Sequence, residues 1–127
     1  MLFRSTGLWD DPATAANPML NGAWYAAPPP SSRAGFENRY KSTYGQSPVR
    51  IATLAYDATA LAAVLSQNGA GSSMFGADKL TSPNGFAGVD GILRFNKSGM
   101  AERGIAILQI RGGRATEISP AAASFNR

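Results

Sequence analysis

The chain has 127 residues, no cysteine and no histidine, and a net charge of +4 from 12 Lys and Arg against 8 Asp and Glu. This excludes disulfides, thiolate chemistry and cysteine metal sites, and it removes the commonest general base and transition-metal ligand. Hydrophobic residues at 44% with only 16% charged argue against disorder, and the length is that of one domain able to bury a core.

The arginines are scattered (Arg33, Arg39, Arg50, Arg94, Arg103, Arg111, Arg114, Arg127) and form no run, so no nucleic-acid partner is expected. No stretch approaches the ~20 apolar residues of a membrane span. Met1–Leu8 lacks the apolar core of a signal peptide; for an exported parent protein the signal would lie upstream.

In chain order, Leu2–Leu8 reads as a strand end running into the loop Trp9-Asp10-Asp11-Pro12. Asp11 suits an N-cap and Pro12 the first helical position of a short helix ending near Asn21-Gly22. Gly22–Ala27 reads as a strand, stopped by Pro28-Pro29-Pro30. Ser31-Ser32 then caps a helix to about Tyr44, with Phe36, Tyr40 and Tyr44 on one face and Gly45 closing it.

The clearest helix runs from Val49 to about Gln67. Ile51, Leu54, Ala55, Ala58, Leu61, Ala62 and Leu65 follow the spacing of an apolar stripe, and the alanine-rich opposite face predicts burial on more than one side. Asn68–Ser73 is a flexible link, and Met74–Leu80 adds one or two helical turns. Val89–Phe95 and Gly104–Arg111 are strands separated by a tight turn at Asn96–Gly99. Arg114–Ser119 is a short final strand after Gly112-Gly113, and Pro120–Arg127 is a tail. The alternation of helices and strands with a closing hairpin indicates α/β or α+β architecture; the expected class is α/β, with helices on a small, mostly parallel sheet.

Several segments together carry a family resemblance. They are the terminal G-x-x-G-x-D-G-x-x-x-F-x-x-x-G over Gly85–Gly99, Gly7–Pro12, Gly22–Pro28, the helix pattern of Arg33, Phe36, Tyr40, Tyr44-Gly45 and Pro48, and Ala55-Tyr56-Asp57-Ala58. In this order and spacing the chain resembles the C-terminal portion of the type I periplasmic ligand-binding proteins. The similarity is to leucine/isoleucine/valine-binding-like members, and among them to those called penicillin-binding protein activators. The resemblance implies a parent of two α/β lobes that close on a small ligand by hinge bending. It implies that residues 1–27 end the second lobe and form a hinge strand, that 28–103 belong to the first lobe, and that 104–127 return to the second lobe and form the tail.

The resemblance places Trp9 and Asp10 at a loop facing the cleft, with Trp9 packing on the ligand and Asp10 receiving an ammonium or hydroxyl. The competing reading has Asp10 or Asp11 capping the next helix. Trp24 and Tyr25 lie on the hinge strand; one ring lines the cleft, or both simply pack between strand and helix. Asp57, central in an apolar helix, calls for a structural bond to backbone or an arginine. Asp90 has a turn or cap role, and Arg94 and Arg103 are solvated or paired at the surface.

No catalytic constellation is present. Gly69–Ser73 begins like a phosphate loop but lacks the third glycine and the G-K-[ST], and it follows a helix. No G-x-S-x-G occurs, and Asn96-Lys97-Ser98, a formal glycosylation sequon, reads as a hairpin turn. The chain is therefore read as a non-enzyme without cofactor or metal. The expected role is part of a periplasmic solute-binding protein for an amino-acid-like ligand, serving an ABC-type membrane permease. The alternative is an activator-type lipoprotein acting on a peptidoglycan synthase by protein–protein contact. As a piece of a larger molecule, the chain would leave its long helix partly uncovered and would be marginally stable without ligand affinity of its own.

Overall fold

The computed structural model describes residues 4–67 and 74–125. The link expected at Asn68–Ser73, with its phosphate-loop-like glycines, lies outside them, as do the ends of the chain.

Strand β1 (Arg4–Ser5) pairs in parallel with β2 (Trp24–Ala27). Strand β2 pairs antiparallel with β6 (Ala106–Arg111), and β6 with β7 (Arg114–Ser119), giving a four-stranded sheet in the order β1-β2-β6-β7. Tyr25 and Ala27 on β2 and Ala106, Leu108 and Ile110 on β6 alternate inward and form the core cluster. Trp9, Leu20, Ala115 and Ala121 pack around it.

A second sheet is built from β3 (Phe86–Gly88), β4 (Gly91–Phe95) and β5 (Ala101–Arg103), all antiparallel. In place of a mostly parallel sheet, then, the ladders are antiparallel apart from β1–β2. The reason is connection length: two-glycine and four-residue links such as Gly112-Gly113 and Asn96–Gly99 return the chain immediately, whereas parallel neighbours need a long crossover. The turn at Asn96–Gly99 is held by the Asn96 side chain, whose Oδ1 accepts the N–H groups of Ser98 and Met100 at 3.0 Å each. The partner of β4 across this turn is the short β5, and β6 leaves for the first sheet.

Helix α1 (Pro12–Ala15) is capped by Asp11, whose Oδ2 accepts the Thr14 N–H at 2.8 Å, and a 3-10 turn follows at Pro18–Leu20. Helix α2 (Pro30–Tyr44) starts one residue before the expected serine cap. Pro30 has no N–H to lose at the first helical position and its φ is already helical. Gly45 closes α2 at φ 72°, its N–H bonded to the Lys41 carbonyl. Helix α3 (Ala52–Gln67) begins later than expected, after a turn in which Ala52 N–H bonds Val49 O at 2.9 Å. Helix α4 (Ala77–Leu80) precedes β3.

The face of α3 that meets the protein is Thr53, Asp57 and Leu65, positions four and eight apart. The predicted stripe is largely outside: of its members only Leu65 is buried, while Ile51 is 70% and Leu54 43% exposed. Burial of α3 on more than one side is therefore not observed. Polar residues took the inner face because the β3–β4 turn presents backbone N–H groups and a carboxylate there. Among the described residues no helix is long and apolar enough to cross a membrane.

Candidate functional site

The site begins at the loop after β1. A 3-10 turn at Gly7–Trp9 is closed by Asp10 N–H to Gly7 O at 3.0 Å. This turn lays Trp9 on the core cluster and points the Asp10 side chain inward, where it is 3% exposed.

Both oxygens of that carboxylate are taken. Arg33, one turn into α2, donates from Nη1 to Oδ2 at 2.8 Å and from Nη2 to Oδ1 at 3.0 Å. This two-pronged geometry is the strong form of a carboxylate–guanidinium pair. Arg33 is held in turn by Glu37, one turn along the helix, at 2.8 Å. Arg50, from the link before α3, donates from Nε to Asp10 Oδ2 at 2.7 Å.

Arg50 carries the chain of contacts onward. Its Nη1 donates to Thr53 Oγ1 at 2.9 Å and to Asp90 Oδ2 at 3.2 Å. The Thr53 hydroxyl donates to the same Asp90 oxygen at 2.8 Å. Burial opposes the Arg50 charge, but the hydrogen bonds it donates to Asp10 and Asp90 outweigh it and hold its pKa above the ordinary value.

Beside this line, Asp57 accepts the N–H of Val89 at 2.6 Å and of Asp90 at 3.4 Å, and lies 3.9 Å from Arg103 Nη1. Asp57 thus makes the backbone bonds its apolar helix called for, with Arg103 near but not hydrogen-bonded to it. Asp90 is more than a turn residue: it is almost fully buried and ion-paired. Arg103 is partly enclosed and not simply solvated, whereas Arg94 is paired with Glu102 at 2.6 Å and stacks 4.5 Å above the Phe125 ring.

Of the four residues singled out from the sequence, the structure brings Asp10 and Tyr25 to one pocket of about 210 Å³. Its walls are completed by Pro12, Pro30, Arg33 and the turn at Gly113-Arg114. Tyr25 is 2% exposed and belongs to the core; burial first, and the Asp10 charge second, push its hydroxyl pKa up, with Arg33 opposing. Trp9 packs on the core cluster. Trp24, the neighbour of Tyr25 on β2, points to the opposite face of the sheet, and its indole N–H is enclosed with no acceptor.

Sequence reasoning missed Arg50, Thr53 and the pairing of Asp90. The signal available was the low charge of the chain combined with aspartates in apolar surroundings, which demands partners. Those partners lie 23 to 40 positions away, beyond the reach of local spacing. Among the described residues no group of three or more His, Cys, Asp and Glu could hold a metal ion.

No family model matches the chain, and no curated protein matches it. Solved structures do. A protein from Rhodospirillum rubrum described as a branched-chain amino acid ABC transporter superposes with a TM-score of 0.77 at 21% identity, over 91% of this chain and 36% of its own. A leucine-binding protein from Thermotoga maritima gives 0.64 at 17%, over 94% and 37%. A substrate-binding protein of an ABC transporter from Desulfitobacterium hafniense, in complex with Leu, gives 0.65 at 22%, over 93% and 36%.

The chain carries part of the type I periplasmic-binding-protein fold. It spans a little over a third of the length of the proteins it matches. In this partial periplasmic-binding-protein fold, the first sheet is made from residues on both sides of the segment that holds α2, α3 and the second sheet. The Asp10–Arg33–Arg50–Asp90 line runs between the two.

Proposed function

We propose that the chain is the C-terminal portion of a periplasmic solute-binding protein that holds an amino-acid-like ligand between two lobes for an ABC-type permease. The observation that carries this reading is the match to solved solute-binding proteins over more than nine-tenths of the chain. The absence of histidine and cysteine from the sequence supports grip over bond-breaking.

In this reading residues 1–27 and 104–127 belong to one lobe and 28–103 to the other, with β2 and the Arg103–Ala106 segment as crossings. Trp24 is the ring placed against the ligand, because a buried indole N–H without an acceptor is costly until something supplies one. Trp9 and Tyr25 support it from the core side. Asp10 reaches a ligand ammonium only by giving up an arginine. The activator reading has no such support, since none of the three neighbours named above is described as one.

Calorimetric titration tests the proposal on the product of the full reading frame containing this chain. Binding of leucine or another amino acid, lost in Trp24→Ala, is expected. No heat with any of the twenty amino acids would remove the transport reading.

A further inference from the structure

The two halves of the molecule are tied covalently by two short segments, Ala27–Pro30 and Arg103–Ala106. The core cluster lies wholly within the first sheet and its surroundings. Apart from those segments, the halves meet where the Phe125 ring lies against Arg94 and beside Gly85, and through an ionic group centred on Asp10.

Asp10 hangs from the first half by the Gly7–Trp9 turn, whose Trp9 is packed into the core cluster. From the second half come Arg33 on α2 and Arg50 before α3, and Arg50 passes the connection to Asp90 in the turn of the second sheet. One carboxylate, 3% exposed, therefore faces two guanidinium groups rooted 17 residues apart on separate elements (Arg33 and Arg50). Water cannot replace it in that position, and a buried ionic group that loses its partner is expensive.

We infer that Asp10 is the pin of an ionic clasp that fixes the angle between the first sheet and the α2–α3–second-sheet unit, independently of any ligand. A neutral amide at position 10 cannot satisfy both arginines. The arginines then turn toward solvent, and the two halves are held only by the two crossings and the Phe125 contact.

The chain contains no cysteine, so a pair of spin labels can be placed without background. Labels at Ala62→Cys on α3 and Glu117→Cys on β7, both exposed, report the separation of the halves. The native chain is expected to give one narrow distance distribution by pulsed electron resonance. Asp10→Asn should broaden and shift it while far-UV circular dichroism stays native. Glu37→Gln, which removes only the outer partner of Arg33, should leave it in place. An unchanged distribution in folded Asp10→Asn, even with a lowered melting temperature, would overturn the clasp, as would an equal shift in Glu37→Gln. If Asp10→Asn does not fold, Arg50→Lys decides: it keeps the charge and loses the forked contact to Asp10 and Asp90. A shift supports the clasp and an unchanged distance overturns it.

Discussion

The Asp57 carboxylate on α3 accepts the backbone N–H of Val89 at 2.6 Å, fastening the long helix to the turn of the second sheet. The approach is possible because Gly88, the preceding residue, has no side chain. A Cβ there would sit 2.7 Å from Asp57 Cγ and 2.9 Å from its Oδ1, and closer still to Oδ2. The carboxylate is buried and pinned by two N–H groups, so it has nowhere to retreat. Gly88→Ala is therefore expected to destabilise the chain by about 2 kcal/mol, the ordinary range for overpacking. Urea unfolding measures it, and a change within a few tenths of a kcal/mol would show that α3 and the turn are not so tightly docked.

Thr53 offers a cleaner test of the neighbouring contact. Its hydroxyl donates to Asp90 Oδ2, while Asp90 Oδ1 already lacks a partner. Thr53→Val keeps the shape and removes the donor, which leaves a buried carboxylate dependent on Arg50. A loss of about 2 kcal/mol follows from the desolvation cost of a stranded acceptor. Thr53→Ser, which keeps the donor, should lose less than half of that. Equal losses in the two variants would assign the effect to packing of the methyl group.

What could be read from the sequence follows the range of the forces involved. The caps at Asp11 and Gly45, the proline stop after β2 and the Asn96–Gly99 turn are decided within a few residues, and each stands in the structure. The demand of Asp57 for a partner was legible because a charge among alanines and leucines cannot stay bare. Which face of α3 turned inward was not. Leu54 and Ile51 carry the right period for a core, but the opposing surface offers N–H groups and an arginine, so Thr53 and Asp57 won the contact. Arg50 was illegible for a related reason: its value comes from Asp10 and Asp90, each 40 positions distant.

Tyr25 gives the molecule an alkaline limit. Burial, and then the Asp10 charge, raise its pKa above the ordinary 10.0, with Arg33 opposing. The folded chain therefore holds this proton to higher pH than the unfolded chain. Between pH 10 and the raised value the unfolded state is the one that has lost it, so stability falls as pH rises, and below pH 10 the group contributes no slope. Tyr25→Phe is expected to flatten that alkaline decline while leaving the profile near neutrality unchanged in shape. Melting temperatures from pH 8 to 11.5 read it out; an undiminished slope in the variant would place the titrating group elsewhere.

The outer face of α3 sets the stability of the chain on its own. Ile51, Leu54, Tyr56 and Val64 are all more than two-fifths exposed, and Met19, Val49 and Met100 add to the apolar surface. The buried hydrophobic set, by contrast, includes four alanines (Ala15, Ala23, Ala27 and Ala106), which return little on burial. A domain that hides so few large side chains has a small margin over its conformational entropy. The isolated chain is thus expected to unfold at low urea, to bind a hydrophobic dye while folded, and to give no heat with leucine. Ile51→Glu and Val49→Lys should reduce dye binding yet change the unfolding free energy by less than about 0.5 kcal/mol, since each of these residues is 70% exposed. A loss of about 2 kcal/mol in either variant would mean that this apolar surface is already packed against something in this chain, and a cooperative high-temperature transition would mean that the small core suffices.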